Sequence, residues 1–120
     1  MKKLEEEVKK FMQLHNKSMI TADEYQRKAR ETAIYPKKEA LPYLSLGLVS
    51  EAGEVAGKVK KLIRDGTESD VASEVGDVLW YCAMLASEVG VSLGKIMENN
   101  LEKLNDRKQR GKLQGSGDTR

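Results

Sequence analysis

Two short acidic motifs of one make constrain this chain more than anything else in it. They are Glu51-Ala52-Gly53-Glu54 and Glu74-Val75-Gly76-Asp77, separated by 19 residues. On an α-helix, residues three apart share a face, with Cβ atoms about 5–6 Å from each other. Each motif therefore offers two carboxylates to one point in space. Asp65-Gly66-Thr67, between the motifs, reads as a helix stop and restart. Two antiparallel helices joined there bring all four acids together near their midpoints.

Helical geometry, at about 100° per residue, strengthens this reading. Leu48, Ala52, Val55, Val59 and Leu62 form one apolar arc, with Glu51, Glu54 and Lys58 along its shoulder. On the second helix Val71, Val75, Val78, Cys82, Leu85 and Val89 form the arc, and Glu74, Asp77 and Tyr81 take the same offset. A single E-x-x-E is usually a solvated helix face. Two of them, matched in offset and flanking an apolar seam, point to a site. Four gathered carboxylates repel one another and resist desolvation. The remedy is a hard cation with oxygen ligands, Mg²⁺ or Mn²⁺.

The rest of the chain is read as helical too, since no stretch alternates like a half-buried strand. Residues 3 to 15 carry Leu4, Val8, Phe11, Met12 and Leu14 at helical spacing, and Asn16-Lys17-Ser18 loosens the chain. Thr21-Ala22-Asp23-Glu24 reads as a capping box, with Ile20 stapled to Tyr25. The third helix is expected to start between Pro36 and Pro42, or at Pro42, and to end before Gly66. Thr67 is the expected cap of the fourth, Gly90 its stop, and Ser92 the cap of a fifth. The fifth carries Leu93, Ile96, Met97, Leu101 and Leu104, then turns basic at Arg107, Lys108 and Arg110. The expectation is an all-α bundle of about five helices.

At 120 residues there is room for one core, assigned to residues 1–110. Residues 111–120, with Gly-Ser-Gly-Asp, are expected to be a flexible tail. Apolar residues make up 39% and charged residues 33%, which suits long helices with exposed faces or a core completed by a partner subunit. A net charge of +2 is too balanced for nucleic acid as the main ligand. No run approaches the roughly 20 apolar residues of a membrane span. The N-terminus has no apolar signal, and the single Cys82 suits a reducing compartment, so a cytoplasmic location is expected. There is no Walker loop and no CxxC, and His15 stands far from any nucleophile. Glu-x-x-His repeats are missing as well, which argues against a di-iron bundle.

The acidic pattern resembles the all-α nucleoside triphosphate pyrophosphohydrolases of the MazG-like superfamily, whose signature is E-E-x-x-E followed by E-x-x-D. Further matches are Glu24-Tyr25-Gln26 with Ala29 and Thr32, Glu54-Val55-Ala56-Gly57-Lys58, and Asn100-Leu101-Glu102-Lys103-Leu104. The Gly-Ser-Gly-Asp tail is typical of the short, single-domain, phage-like members. The resemblance covers about residues 20 to 120, and Ser50 stands where the family has its first Glu. It implies hydrolysis of a (d)NTP to monophosphate and pyrophosphate in nucleotide house-cleaning. Glu51, Glu54, Glu74 and Asp77 are then the catalytic metal ligands for Mg²⁺ or Mn²⁺, with Glu51 the first choice to orient water. Lys58, Lys61, Lys103 and Arg107 are candidates to hold phosphates, and Tyr81, Asn100 and Gln26 to contact the nucleotide, with Trp80 a weaker candidate for the base. The resemblance also implies a homo-oligomer, a dimer or a dimer of dimers, in which dimerisation completes the four-helix bundle of the active site.

Two other readings stand beside this one. A phosphoribosyl-ATP pyrophosphohydrolase would share the fold and cleave the same bond. A non-catalytic helical interaction module would use the acids only as a soluble surface and would gain no stability from Mg²⁺.

Overall fold

Local chemistry sets the helix boundaries of the computed structural model, which describes residues 2–13, 19–66 and 70–120. Five α-helices follow one another: α1 (Lys2–Gln13), α2 (Ala22–Arg30), α3 (Ala40–Asp65), α4 (Val71–Glu88) and α5 (Leu93–Gln109). Thr21 caps α2, its hydroxyl oxygen accepting from the Glu24 N–H at 3.1 Å. A 3₁₀ turn, Lys37–Glu39, leads into α3, which begins between the two prolines. Pro42 falls in its first turn, where a missing N–H costs nothing. Gly66, at φ 62°, closes α3 by donating to the Leu62 carbonyl.

The cap of α4 is Asp70, whose side chain accepts from the Ser73 N–H at 3.2 Å. The expected cap, Thr67, lies outside the described residues, as do Leu14, His15 and the loosened Asn16–Ser18. Ser92 caps α5 as its sequence suggests, accepting from the Lys95 N–H at 3.1 Å.

α3 and α4 form the most extensive helix pair. Gly47 lies against Tyr81, and Glu51 stands beside Asp77. Partner numbers fall as they rise, so the two helices run antiparallel, as a five-residue connection requires.

The core sits at one end of this pair. Leu44 from α3 and Ala83 and Met84 from α4 meet Ala29 of α2 and Leu93 of α5. Leu44 and Met84 are fully buried, each worth about 1.5–3 kcal/mol of transfer free energy. Gln26 ties α2 into the α4–α5 junction with both ends of its amide. Its nitrogen donates to Ser87 Oγ and the Val91 carbonyl, and its oxygen accepts from the Leu93 N–H at 2.8 Å. Tyr35 donates to the Glu88 carboxylate from just beyond α2.

The apolar arcs drawn from periodicity are only partly covered. On α4 the buried residues are Ala83, Met84 and Ala86, because α2 docks there. Val75 and Val89 of the expected arc stay exposed. On α3 the arc's Leu48, Val55 and Leu62 are half-buried and its Ala52 and Val59 exposed, while Leu46, Val49 and Ile63, off that arc, are 73%, 71% and 80% exposed. α1 buries none of its residues. No helix among the described residues is long and apolar enough to cross a membrane.

Candidate metal centre

The acids of α3 and α4 meet, as the matched motifs predict, but at mid-length only on α3: α4 starts at Val71, so Glu74 lies in its first turn and Asp77 in its second. Glu51, Glu74 and Asp77 each bring an oxygen within 4.8 Å of the other two. Glu51 and Glu74 are half-buried and Asp77 is exposed. Partial burial, then the charges of Asp77, Glu74 and Glu54, push the Glu51 carboxyl above its usual range. Glu54 lies one turn further along α3 and outside the triad, and its side chain is exposed. Three of the four predicted acids are thus brought together, and the fourth acts on them through its charge. The donor set consists of carboxylates alone, so it fits a hard divalent cation and not the softer metals that favour imidazole or thiolate.

An open recess of about 360 Å³ adjoins the triad, lined by Thr32, Glu51, Asp77, Trp80 and Tyr81. Two acids and two aromatic rings share its lining. Trp80 and Tyr81 meet edge to face with centroids 5.0 Å apart, and Tyr35 packs against Trp80 in the same manner at 6.4 Å. Thr32 fixes the indole, because its hydroxyl donates to the Ala29 carbonyl at 2.7 Å and accepts from Trp80 Nε1 at 2.8 Å. Burial raises the Tyr81 phenol, with Tyr43, Glu51 and Asp77 adding to the effect.

Gly47 explains how Tyr81 reaches its place. A methyl group there would come within 2.1 Å of Tyr81 Cε1 and 2.5 Å of Cζ, far inside van der Waals contact. The ring lies in the slot that the missing side chain leaves on α3. Sequence reasoning did not single out Gly47, although an isolated glycine inside a long helix commonly has a packing reason. Nor did it place Thr32 at the site.

The remaining predicted residues lie elsewhere. Asn100 and Lys103 line a second recess with Ile96 and Asn99. Lys58 is half-buried two turns after Glu51, and Lys61 is exposed. Arg107 is almost wholly buried, at 4% exposure, and Gln26 is occupied at the helix junction described above. A roomier groove of about 700 Å³, lined by Ala56, Val59, Lys60, Ile63 and Arg64, contains no acid. It offers nothing for phosphate chemistry beyond two surface cations.

The comparisons with known proteins converge on the same segment. The family model of the MazG nucleotide pyrophosphohydrolase domain matches residues 41–111, which contain all four acids. The Gene 37 protein of Mycobacterium phage L5 is 47% identical over 111 residues, covering 82% of this chain and 97% of that protein. No solved structure matches the chain. With the acids of α3 and α4 meeting beside an aromatic recess, the chain belongs to the MazG nucleotide pyrophosphohydrolase family.

Proposed function

We propose that the protein is a divalent-cation-dependent nucleoside triphosphate pyrophosphohydrolase, converting a (d)NTP and water to the (d)NMP and pyrophosphate in nucleotide-pool house-cleaning. The observation that carries this reading is the convergence of Glu51, Glu74 and Asp77 beside the recess walled by Trp80 and Tyr81. Charged groups and aromatic side chains adjoin, as a nucleotide requires.

In this reading the triad holds Mg²⁺ or Mn²⁺, with Glu54 the next carboxylate in line. When bound, such an ion neutralises phosphate charge and acidifies a coordinated water. Glu51 is assigned to orient the attacking water and accept its proton. Attack falls on the α-phosphorus, and pyrophosphate leaves. Tyr81 and Trp80 offer edges and faces to the base or sugar. Lys58, Lys61, Lys103 and Arg107 are assigned to the phosphates, and Asn100 and Gln26 to the nucleotide.

The exposed apolar residues of α3, together with Val75 and Val89, support a homo-oligomer, a dimer at least, that covers them. A cytoplasmic site of action accords with the substrate.

The test is a panel of NTPs and dNTPs assayed for pyrophosphate with Mg²⁺, with Mn²⁺ and with chelator. Metal-dependent release of pyrophosphate with the monophosphate as co-product is expected. Orthophosphate as the first product would mean that the wrong phosphorus had been assigned.

A further inference from the structure

Among the described residues Arg107 is the one charged side chain that is buried, and its surroundings call for an anion. It is 4% exposed, and its Nε has no hydrogen-bond partner among the described residues. A buried guanidinium donor left unmade is costly. Among the described residues, the carboxylate that meets it belongs to the end of its own chain. Arg107 Nη2 donates to the Asp118 backbone carbonyl at 2.7 Å and reaches the Asp118 carboxylate at 3.5 Å. Lys103 Nζ stands 3.4 Å from the same carboxylate oxygen.

The segment that delivers Asp118 has a structure of its own. The Arg120 guanidinium donates to the carbonyls of Lys112, Leu113 and Gly117, and Arg110 donates to the Arg120 carbonyl. Gly111, Gly115 and Gly117 supply the positive φ angles that this fold-back needs. A short arginine-pinned loop thereby lays one carboxylate over two cations. That carboxylate is loosely held. Its side chain is 85% exposed, and its two charge contacts are long beside the 2.7–2.9 Å of a strong charge-assisted bond.

We propose that the Asp118 carboxylate is a tethered, displaceable occupant of the phosphate site assigned to Lys103 and Arg107. The choice of anion rests on the pyrophosphohydrolase reading, whose substrate and product both carry that group. With the carboxylate in place, the site is filled by a monoanion. A phosphoanion, carrying more charge and more acceptor oxygens, displaces it from the two cations. The Asp118 side chain then swings out to solvent while its backbone carbonyl stays on Arg107.

The experiment is calorimetric titration with inorganic pyrophosphate, in chelator so that the acidic triad takes no part, at fixed low ionic strength. Asp118→Asn removes the charge and keeps the backbone carbonyl that Arg107 uses, so the loop stays in place. Pyrophosphate affinity is expected to rise several-fold in this variant, because the competing carboxylate is gone while both cations remain. Lys103→Gln, on an exposed surface that tolerates the change, is expected to weaken binding in either background. Unchanged or weaker binding in Asp118→Asn would overturn the proposal and make Asp118 a structural latch. Absence of pyrophosphate binding to every variant would overturn the anion site itself. Failure of the pyrophosphohydrolase reading would appear separately, as no turnover of nucleotides by the metal-loaded wild type.

Discussion

Glu51 and Asp118 are both carboxylates beside other charges, and their surroundings push them in opposite directions. Burial and three neighbouring acids raise Glu51. Lys103 and Arg107 lower Asp118. The difference lies in what each region leaves unsatisfied. On α3 and α4 the chain gathers like charges on two long helices, and the charged neighbours that act on Glu51 are acids. At the end of α5 it gathers cations and answers them from its own tail. The first arrangement is completed only by something from outside. The second is complete until a stronger anion arrives.

The sharpest way to break the comparison is at the acidic side. Asp77→Asn keeps the size and removes a ligand charge from an exposed position, so the fold is expected to survive. Turnover is expected to fall by about 100-fold or more, the scale seen when a group acting on developing charge is lost. Steady-state pyrophosphate release, with circular dichroism as a control for folding, checks this. Activity within a few-fold of wild type would remove Asp77 from the centre.

A smaller effect is expected at the aromatic lining of the recess. Gly47→Ala drives a methyl into the Tyr81 ring and should cost about 1–2 kcal/mol of stability, with a raised KM as the ring moves toward the recess. Gly53→Ala on the same helix meets nothing within 4 Å and should instead gain about 0.5–1 kcal/mol from helix propensity. Denaturant unfolding of the two variants separates packing from propensity. If both gained stability, the slot on α3 would have no role.

The smallest effects, and the ones that test the two carboxylates against each other, are in pH dependence without metal. Glu51 has a folded pKa above its unfolded one. Its contribution to stability is therefore full below the ordinary value of 4.5 and is lost as pH rises through the raised value. Asp118 is the reverse. Its contribution is present above the ordinary 3.8 and is lost as pH falls through the lowered value. Tm measured against pH should show Glu51→Gln gaining on the wild type as pH rises from 4.5. The deficit of Asp118→Asn should close as pH falls below 3.8. The same sign for both variants would contradict the account.

Much of this was legible before any coordinates. The pairing of the motifs followed from the three-residue spacing, and the antiparallel arrangement from Gly66 and a short connection. What local periodicity does not contain is which face of a helix its neighbours choose. α2 docks on Ala83 and Met84 of α4, so the buried side of that helix is not the arc that the valines mark out. Thr32 reaches Trp80 across 48 residues, and Gln26 reaches the start of α5 across 67. Neither contact has a signature in the intervening sequence. The tail looked bare because its composition, with Leu113 the one large apolar side chain, offers little to bury. Its contacts are hydrogen bonds from three arginines, which hydropathy does not register.

The central claim is that Glu51, Glu74 and Asp77 form a cation site, and the most direct test is thermal unfolding with and without Mn²⁺. At 100-fold excess over Kd, binding to the folded state alone contributes about 2.7 kcal/mol, which for a domain of this size is a rise in Tm of roughly 10 °C. The wild type is expected to show that rise and Asp77→Asn to lose most of it. An unmoved Tm in the wild type, or an equal rise in both proteins, would contradict the account.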